Sequence, residues 1–167
     1  FGADQLPQIV LGPPQGHGPS RGSMDVVSLG HRGSIVVGFE PRTIIDGPGA
    51  DFIVFENAFW PQGNAAAVFA ELGRVAVSQD GVVWHEFTCE TPEDEDPINC
   101  AGWSPTQDFD GVKDLPLSLD VCGGDGFDLA DLNLDFARYV RITDQSDSTQ
   151  TPSAGFDLDA VGLIHHR

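Results

Sequence analysis

The amino-acid sequence predicts an all-β domain built as an antiparallel β-sandwich of the jelly-roll type with long acidic loops. The 20 glycines and 12 prolines punctuate the chain too often for long helices. Valine, isoleucine and phenylalanine instead cluster in short runs between turn residues, which is typical of β-strands. At 167 residues the chain is close to the usual size of one domain, so we expect a single core over residues 1–167.

The strongest strand signals are two continuous apolar runs. The segments GSIVVGF (33–39) and DFIVFENAF (51–59) have the length and character of buried strands. Weaker strands are predicted at 8–11 and 25–29, within a first part that is rich in glycine and proline. The chain therefore gains clear strand character only from residue 33 onwards.

A hairpin is predicted for the segment RVAVSQDGVVWHEF (74–87). Its Asp80-Gly81 pair separates two β-rich runs and favours a tight turn at positive φ. Trp84, in the second run, is assigned to the core. Residues 88–125 show no convincing periodicity of apolar residues. A segment of this length without regular structure inside a domain is predicted to be both functional and cross-linked.

Regular structure is predicted again after residue 125. A helical turn is expected at 128–132, and a strand at 138–143 with Val140 and Ile142 facing inward. The segment GFDLDAVGLIHH (155–166) predicts the last strand. Its alternation gives two faces, with Phe156, Leu158, Ala160 and Ile164 on one and Asp157 and Asp159 on the other.

The charge of the chain excludes several classes of partner. Eight basic and 26 acidic side chains give a net charge of −18, so nucleic acid and anionic membranes would be repelled. No apolar run approaches the roughly 18 residues of a membrane-spanning helix, so membrane insertion is not expected. Self-repulsion opposes folding unless bound cations neutralise some carboxylates, which makes a divalent cation the first predicted cofactor.

Calcium is the predicted ion. It takes six to eight oxygen ligands, and acidic, glycine-rich turns supply them in 46–57 and 123–131, although neither segment matches an EF-hand loop. The competing interpretation is that these aspartates are solvated turn formers, with Asp128 capping a helix. The candidate ligands are Glu56, Asp128, Asp131, Asp157 and Asp159, followed by Asp51 and Asp125.

The three cysteines predict one disulfide bond. Cys89 and Cys100 flank an acidic loop that a bridge would close, and such a bridge persists in an oxidising compartment. Cys122 is then buried, paired outside the chain, or the true partner of one of the other two. The chain starts at Phe1 and its only methionine is Met24, so we expect a processed, secreted or cell-surface protein.

Motifs for catalysis are missing from the sequence. It contains no G-x-S-x-G, no H-E-x-x-H and no phosphate-binding loop after a strand, so a non-enzymatic role is predicted. Among the aromatic residues, Trp60 and Trp103 fall in loop-like segments, where an exposed indole can stack on a sugar or a partner. Trp103 has the alternative of packing against the disulfide bond.

Five segments carry a resemblance to a known family. SLGHRGSIVVGF, DGPGADFIVFENAF, VAVSQDGVVWHEF, GGDGFDLADLNLDFARYVRITD and GFDLDAVGLI, spread over 28–164, resemble a family of bacterial secreted or cell-surface proteins. The patterns V-x-V-S-x-D-G-x-x-W and A-R-Y-V-R-I are also similar to discoidin-like and carbohydrate-binding domains with the galactose-binding jelly roll. The resemblance implies an antiparallel sandwich of about eight to ten strands, often with a structural calcium. The insert CETPEDEDPINC has no counterpart in a minimal discoidin module.

The leading hypothesis is a secreted, non-enzymatic surface module. In this hypothesis, bound calcium holds the acidic loops in place, and the protein thereby presents a face that binds an extracellular carbohydrate or a surface protein. One alternative is an extracellular structural subunit that forms homo-oligomers through strand edges or Cys122. The other is a glycan-processing enzyme, although a suitable carboxylate pair arises easily by chance among this many acids.

Overall fold

Two four-stranded antiparallel sheets pack against each other in the protein. The computed structural model describes residues 1–93, 95–107, 114–145 and 155–167. The all-β sandwich predicted from the sequence is confirmed. The strands are β1 (Val27–Ser28), β2 (Ser34–Gly38), β3 (Ile44–Ile45), β4 (Phe52–Glu56), β5 (Gly73–Ser78), β6 (His85–Glu86), β7 (Asp125–Phe127), β8 (Phe136–Ala137), β9 (Tyr139–Asp144) and β10 (Asp157–Leu163).

The helical segments are short. Among the described residues, the α-helix α1 spans Leu119–Cys122, and single 3₁₀ turns cover Ala3–Gln5, Gln8–Val10, Pro61–Gly63 and Leu129–Leu132. In the part of the chain that the structure describes, every helix is too short or too polar to cross a bilayer.

The strand order is β1-β10-β4-β7 in the first sheet and β2-β9-β5-β6 in the second, and β3 pairs with β8. The core lies where alternating side chains of the two large sheets meet, such as Val54 of β4 and Val75 of β5. Three phenylalanines fill its centre: Phe52 lies 5.3 Å from Phe127 and 6.2 Å from Phe87, measured between ring centroids. These rings lie at the start of β4, where Phe52 pairs with Leu163 at the end of β10.

The two predicted buried strands differ in burial. Every residue of β4 is buried, because its second face is covered by a smaller apolar cluster in which Phe55 meets Cys122 and Ala160. The strand β2 also forms, but its residues alternate between exposed and half-buried. Its predicted complete burial is wrong, because β2 is the edge of its sheet.

The predicted hairpin is confirmed as the pair β5–β6, and Gly81 has the expected positive φ of 77°. Its turn is longer than predicted and spans 79–84, where Asp80 Oδ1 accepts hydrogen bonds from the backbone N–H groups of Val82 and Val83 at 2.8 and 2.9 Å. Trp84 is half-buried rather than in the core. Its ring lies beneath the Arg141 guanidinium at 4.4 Å, a cation–π contact.

A β-bulge in β10 changes the predicted faces of that strand. Leu158 pairs with Glu56 and Ala160 with the adjacent Phe55, so the register shifts between them. Leu158 therefore belongs to the main core and Ala160 to the smaller cluster on the other side of β4. The predicted common face of Phe156, Leu158, Ala160 and Ile164 is wrong.

The weaker local predictions have mixed outcomes. The strand expected at 8–11 is wrong, because the backbone there closes 3₁₀ turns with bonds such as Leu11 N–H to Gln8 O at 3.1 Å. Of 25–29, only Val27–Ser28 is a strand. The helical turn at 128–132 and the strand at 138–143 are confirmed as Leu129–Leu132 and β9.

Candidate functional site

Three acidic side chains meet where β4 ends and β10 begins. Glu56 is the last residue of β4 and Asp157 the first of β10, and the Asp157 backbone N–H donates to Glu56 Oε1 at 3.3 Å. Glu71 joins them because the chain turns back after β4. Phe59 and Phe69 exchange two backbone hydrogen bonds of 3.1 and 2.9 Å, and their ring centroids are 5.2 Å apart. We call Glu56, Glu71 and Asp157 the acidic triad.

The acidic triad has the geometry of a cation site. One carboxylate oxygen from each residue lies within 4.8 Å of the other two. Glu56 is only 3% exposed. Burial raises the pKa of Glu56 well above its ordinary value, and the negative charges of Asp157 and Glu71 raise it further. At Glu56 the site thus disfavours the negatively charged form of the carboxyl.

Burial also raises the pKa of the other two triad carboxyls. For Glu71 this shift is opposed by a hydrogen bond of 2.8 Å from the Gly155 N–H to Oε1. For Asp157 it is partly opposed by the nearby side chains of Ser28 and Asn57 and by the α-amino group of Phe1. Neutralising the triad therefore requires protons or a bound cation.

Unsatisfied polar atoms are concentrated at the acidic triad. Among the described residues, three buried side-chain atoms lack a well-formed hydrogen bond, and they are Ser28 Oγ, Glu56 Oε2 and Asp157 Oδ1. Ser28 is the cross-strand partner of Asp157, so all three belong to one place in the fold. Buried polar atoms in proteins are almost always hydrogen-bonded, and three exceptions at one place indicate a position for a bound water or ion.

A second acidic group, of Asp46, Asp51 and Asp128, also lies within 4.8 Å. In this group, however, backbone N–H groups already donate hydrogen bonds to carboxylate oxygens of Asp51 and Asp128. Asp51 accepts hydrogen bonds from Gly47 N–H at 2.8 Å and Leu129 N–H at 2.7 Å. Asp128 accepts one from Ala130 N–H at 2.8 Å and caps the 3₁₀ turn, as the competing interpretation of the sequence expected.

The remaining candidate ligands lie outside both groups. Asp125 accepts hydrogen bonds from the backbone N–H groups of 102–104 at 2.7, 3.0 and 3.1 Å, and burial raises its pKa to about 6. Asp159 accepts two from Gln15 N–H at 3.1 and 3.0 Å, and burial raises its pKa to about 7. Both carboxylates anchor loops to the sandwich. Asp131 is exposed.

The two tryptophans singled out from the sequence line the same cavity, which has a volume of about 510 Å³ and opens to solvent. The backbone N–H of Trp60 donates to Pro19 O at 2.6 Å, and the backbone N–H of Trp103 donates to the Asp125 carboxylate at 3.0 Å. Val68 and Leu119 add apolar surface to the cavity. We call it the tryptophan cleft.

The acidic triad and the tryptophan cleft are directly connected. The buried Thr106 hydroxyl donates to the backbone carbonyl of Glu56 at 3.0 Å. Thr106 lies between Pro105 and Gln107, which both line the cleft. On the other side, Trp60 follows Glu56 along the chain by one short segment. The two places therefore share the chain segments around Glu56 and Thr106.

The predicted disulfide bond between Cys89 and Cys100 is present, with an S–S distance of 2.03 Å. The disulfide bond closes the acidic loop. Within the loop, the backbones of Glu90 and Ile98 form an antiparallel bridge. Cys122 is a buried free thiol, so it is not the partner of either of the others. The bond is compatible with an extracellular protein.

The chain was compared with known proteins, and no protein-family model, curated protein or solved structure matches it. Its function must therefore be argued from the two sites themselves. Sequence reasoning named Glu56, Asp157 and both tryptophans, but it missed Glu71. The signal in the sequence was the position of Glu71 just before a β-rich run, since Glu56 and Asp157 also lie at strand ends.

Proposed function

We propose that the protein is a secreted, non-enzymatic binding module that holds Ca²⁺ at the acidic triad and binds carbohydrate in the tryptophan cleft. The observation that carries the calcium site is the convergence of the three unsatisfied buried atoms, Ser28 Oγ, Glu56 Oε2 and Asp157 Oδ1. Leaving a buried acceptor unpaired costs about 1 to 3 kcal/mol, and more when it is charged. A cation bound among these oxygens removes that cost.

Calcium fits the donors of the triad best. They are all oxygens, and no histidine or cysteine belongs to the group among the described residues, so the softer transition metals have no preferred ligand there. Calcium accepts irregular sets of carboxylates, whereas magnesium requires a nearly ideal octahedron. Extracellular calcium modules bind with dissociation constants of about 10⁻⁴ to 10⁻³ M, so millimolar calcium adds on the order of 1 kcal/mol of stability.

The tryptophan cleft supports the binding role. Two indole rings from separate segments border one open cavity whose volume is typical of ligand sites. Indole faces are large, rigid apolar surfaces with a polar edge, which suits stacking on the faces of sugar rings. The disulfide bond supports secretion into an oxidising compartment, where millimolar calcium is present.

Thermal unfolding with added calcium tests the calcium site. Protein stripped with chelator should gain a few degrees in Tm on addition of about 5 mM CaCl₂, and less with MgCl₂. The variants Glu56→Gln, Glu71→Gln and Asp157→Asn should lose the gain. Asp131→Asn, which removes an exposed acid outside the triad, should keep it. An unchanged Tm in calcium, or an equal loss in Asp131→Asn, would refute the site.

Retention on immobilised glycans tests the carbohydrate role. The wild-type protein should be retained in calcium, and Trp60→Ala and Trp103→Ala should each flow through while keeping their calcium response. A variant that loses the calcium response is misfolded and cannot support the result, so the calcium shift serves as the folding control. Equal retention of the wild type and both tryptophan variants would contradict the assignment of the cleft.

A further inference from the structure

We propose that the tryptophan cleft prefers a cationic amino-sugar chain, one of glucosamine units with free ammonium groups, over neutral and acidic glycans. This inference rests on the proposed carbohydrate role and adds the chemical class of the sugar. It combines two properties of the cleft: aromatic surface from Trp60 and Trp103, and carboxylates placed beside them.

The aromatic surface is held in position by backbone contacts. The carboxylate of Asp125 binds the N–H groups of 102–104 and so fixes the main chain that carries Trp103. Trp60 is tied to Pro19 by a backbone bond of 2.6 Å. A main chain that is already fixed loses little further freedom on binding, which favours stacking of sugar rings on the indoles that it carries.

The charged side chains that line the cleft among the described residues are all acidic. Asp96 and Asp120 are exposed at the cavity, Asp125 lies deeper, and no basic side chain is among the described residues that line it. The whole chain adds a net charge of −18. An ammonium group gains from these carboxylates and from the indole faces, whereas a uronate or sulfate group is repelled.

The polar contacts of the cleft suit a sugar ring as well as an ammonium group. Ser104 and Gln107 line the cavity with side-chain donors and acceptors. A pyranose has both an apolar face for the indole and hydroxyl groups for such side chains. A simple alkylammonium ion would use only the tryptophans and the carboxylates, and would leave these polar groups unused.

Calorimetric titration with three oligosaccharides of equal length tests the proposal. The probes are a glucosamine, a glucose and a galacturonic acid tetrasaccharide, each β- or α-linked as in its parent polymer, in calcium at a pH where the sugar amine is protonated. We expect the glucosamine probe to bind at least about 5-fold more tightly than the glucose probe, since two surface charge pairs contribute. We expect the galacturonic acid probe to bind weakest. Salt should weaken only the glucosamine complex.

Two charge variants make the test specific. Asp96→Asn and Asp120→Asn should each weaken the glucosamine complex by about 2- to 5-fold and the glucose complex by a smaller factor. Asp135→Asn is the matched control, because it removes an exposed acid that does not line the cleft. Trp103→Ala should weaken binding of every sugar that binds.

The outcomes separate the inference from the proposed function. Equal affinities for the glucosamine and glucose probes, or unchanged binding in both cleft variants, would overturn the inference and leave carbohydrate binding standing. Binding of none of the three probes would overturn the inference and the assignment of the cleft together. The calcium response would remain a separate measurement of the acidic triad.

Discussion

Asp125 offers a direct test of how the loop of Trp103 is held. Asp125 is half-buried, and its carboxylate accepts hydrogen bonds from the N–H groups of 102–104. The loss of hydration at this carboxylate outweighs these bonds and raises its pKa from 3.8 to about 6. The native state therefore keeps its proton to a higher pH than the unfolded chain does. As the pH rises from about 4 to about 6, this group lowers the free energy of unfolding, by about 3 kcal/mol in total.

The variant Asp125→Asn isolates that contribution, because asparagine has nearly the same shape and does not titrate. Urea unfolding of chelator-treated protein at several pH values from about 4 to 7 measures it. The wild-type free energy of unfolding should fall with pH more steeply than that of the variant, by up to about 3 kcal/mol over this range. Asp135→Asn, an exposed acid, should keep the wild-type slope. Identical slopes for wild type and Asp125→Asn would refute the reasoning.

Three further predictions concern other parts of the fold. Without calcium, the stability of Glu56→Gln should fall less than that of the wild type as the pH rises, because burial raises the pKa of Glu56 well above its ordinary value, and an equal pH dependence of both proteins in chelator would contradict this. Thr106→Val should cost about 1 to 3 kcal/mol, because the buried carbonyl of Glu56 loses its partner, and should weaken calcium and sugar binding together in calorimetry. Reducing Cys89–Cys100 should lower the stability by about 2 to 3 kcal/mol in urea unfolding, whereas an unchanged midpoint would show that the acidic loop needs no cross-link.

The main strands could be predicted from the local pattern of the sequence. The apolar run of β4, the hairpin β5–β6 and the strand β9 all follow from short-range periodicity and turn residues. The bulge in β10 could not be predicted in this way. It depends on how β10 meets the end of β4 and on Gln15, whose N–H binds the extra residue Asp159 from far along the chain.

The site could be predicted only in part, because it too depends on contacts between distant parts of the chain. Acidic residues at the ends of predicted strands can be recognised in the sequence, so Glu56 and Asp157 could be named. Their meeting with Glu71 depends on the backbone pairing of Phe59 with Phe69, which the sequence does not signal. Nor does composition distinguish an acid free to bind a cation from one occupied by backbone N–H groups, as Asp51 is.

The calcium site at the acidic triad is tested most directly by anomalous diffraction from crystals grown in calcium chloride. One strong calcium peak is expected about 2.3 to 2.6 Å from Glu56 Oε2 and Asp157 Oδ1, with Glu71 completing the carboxylate ligands. The peak should vanish in Glu56→Gln crystals. Water alone at these oxygens, without an anomalous signal in crystals saturated with calcium, would rule out the proposed calcium site.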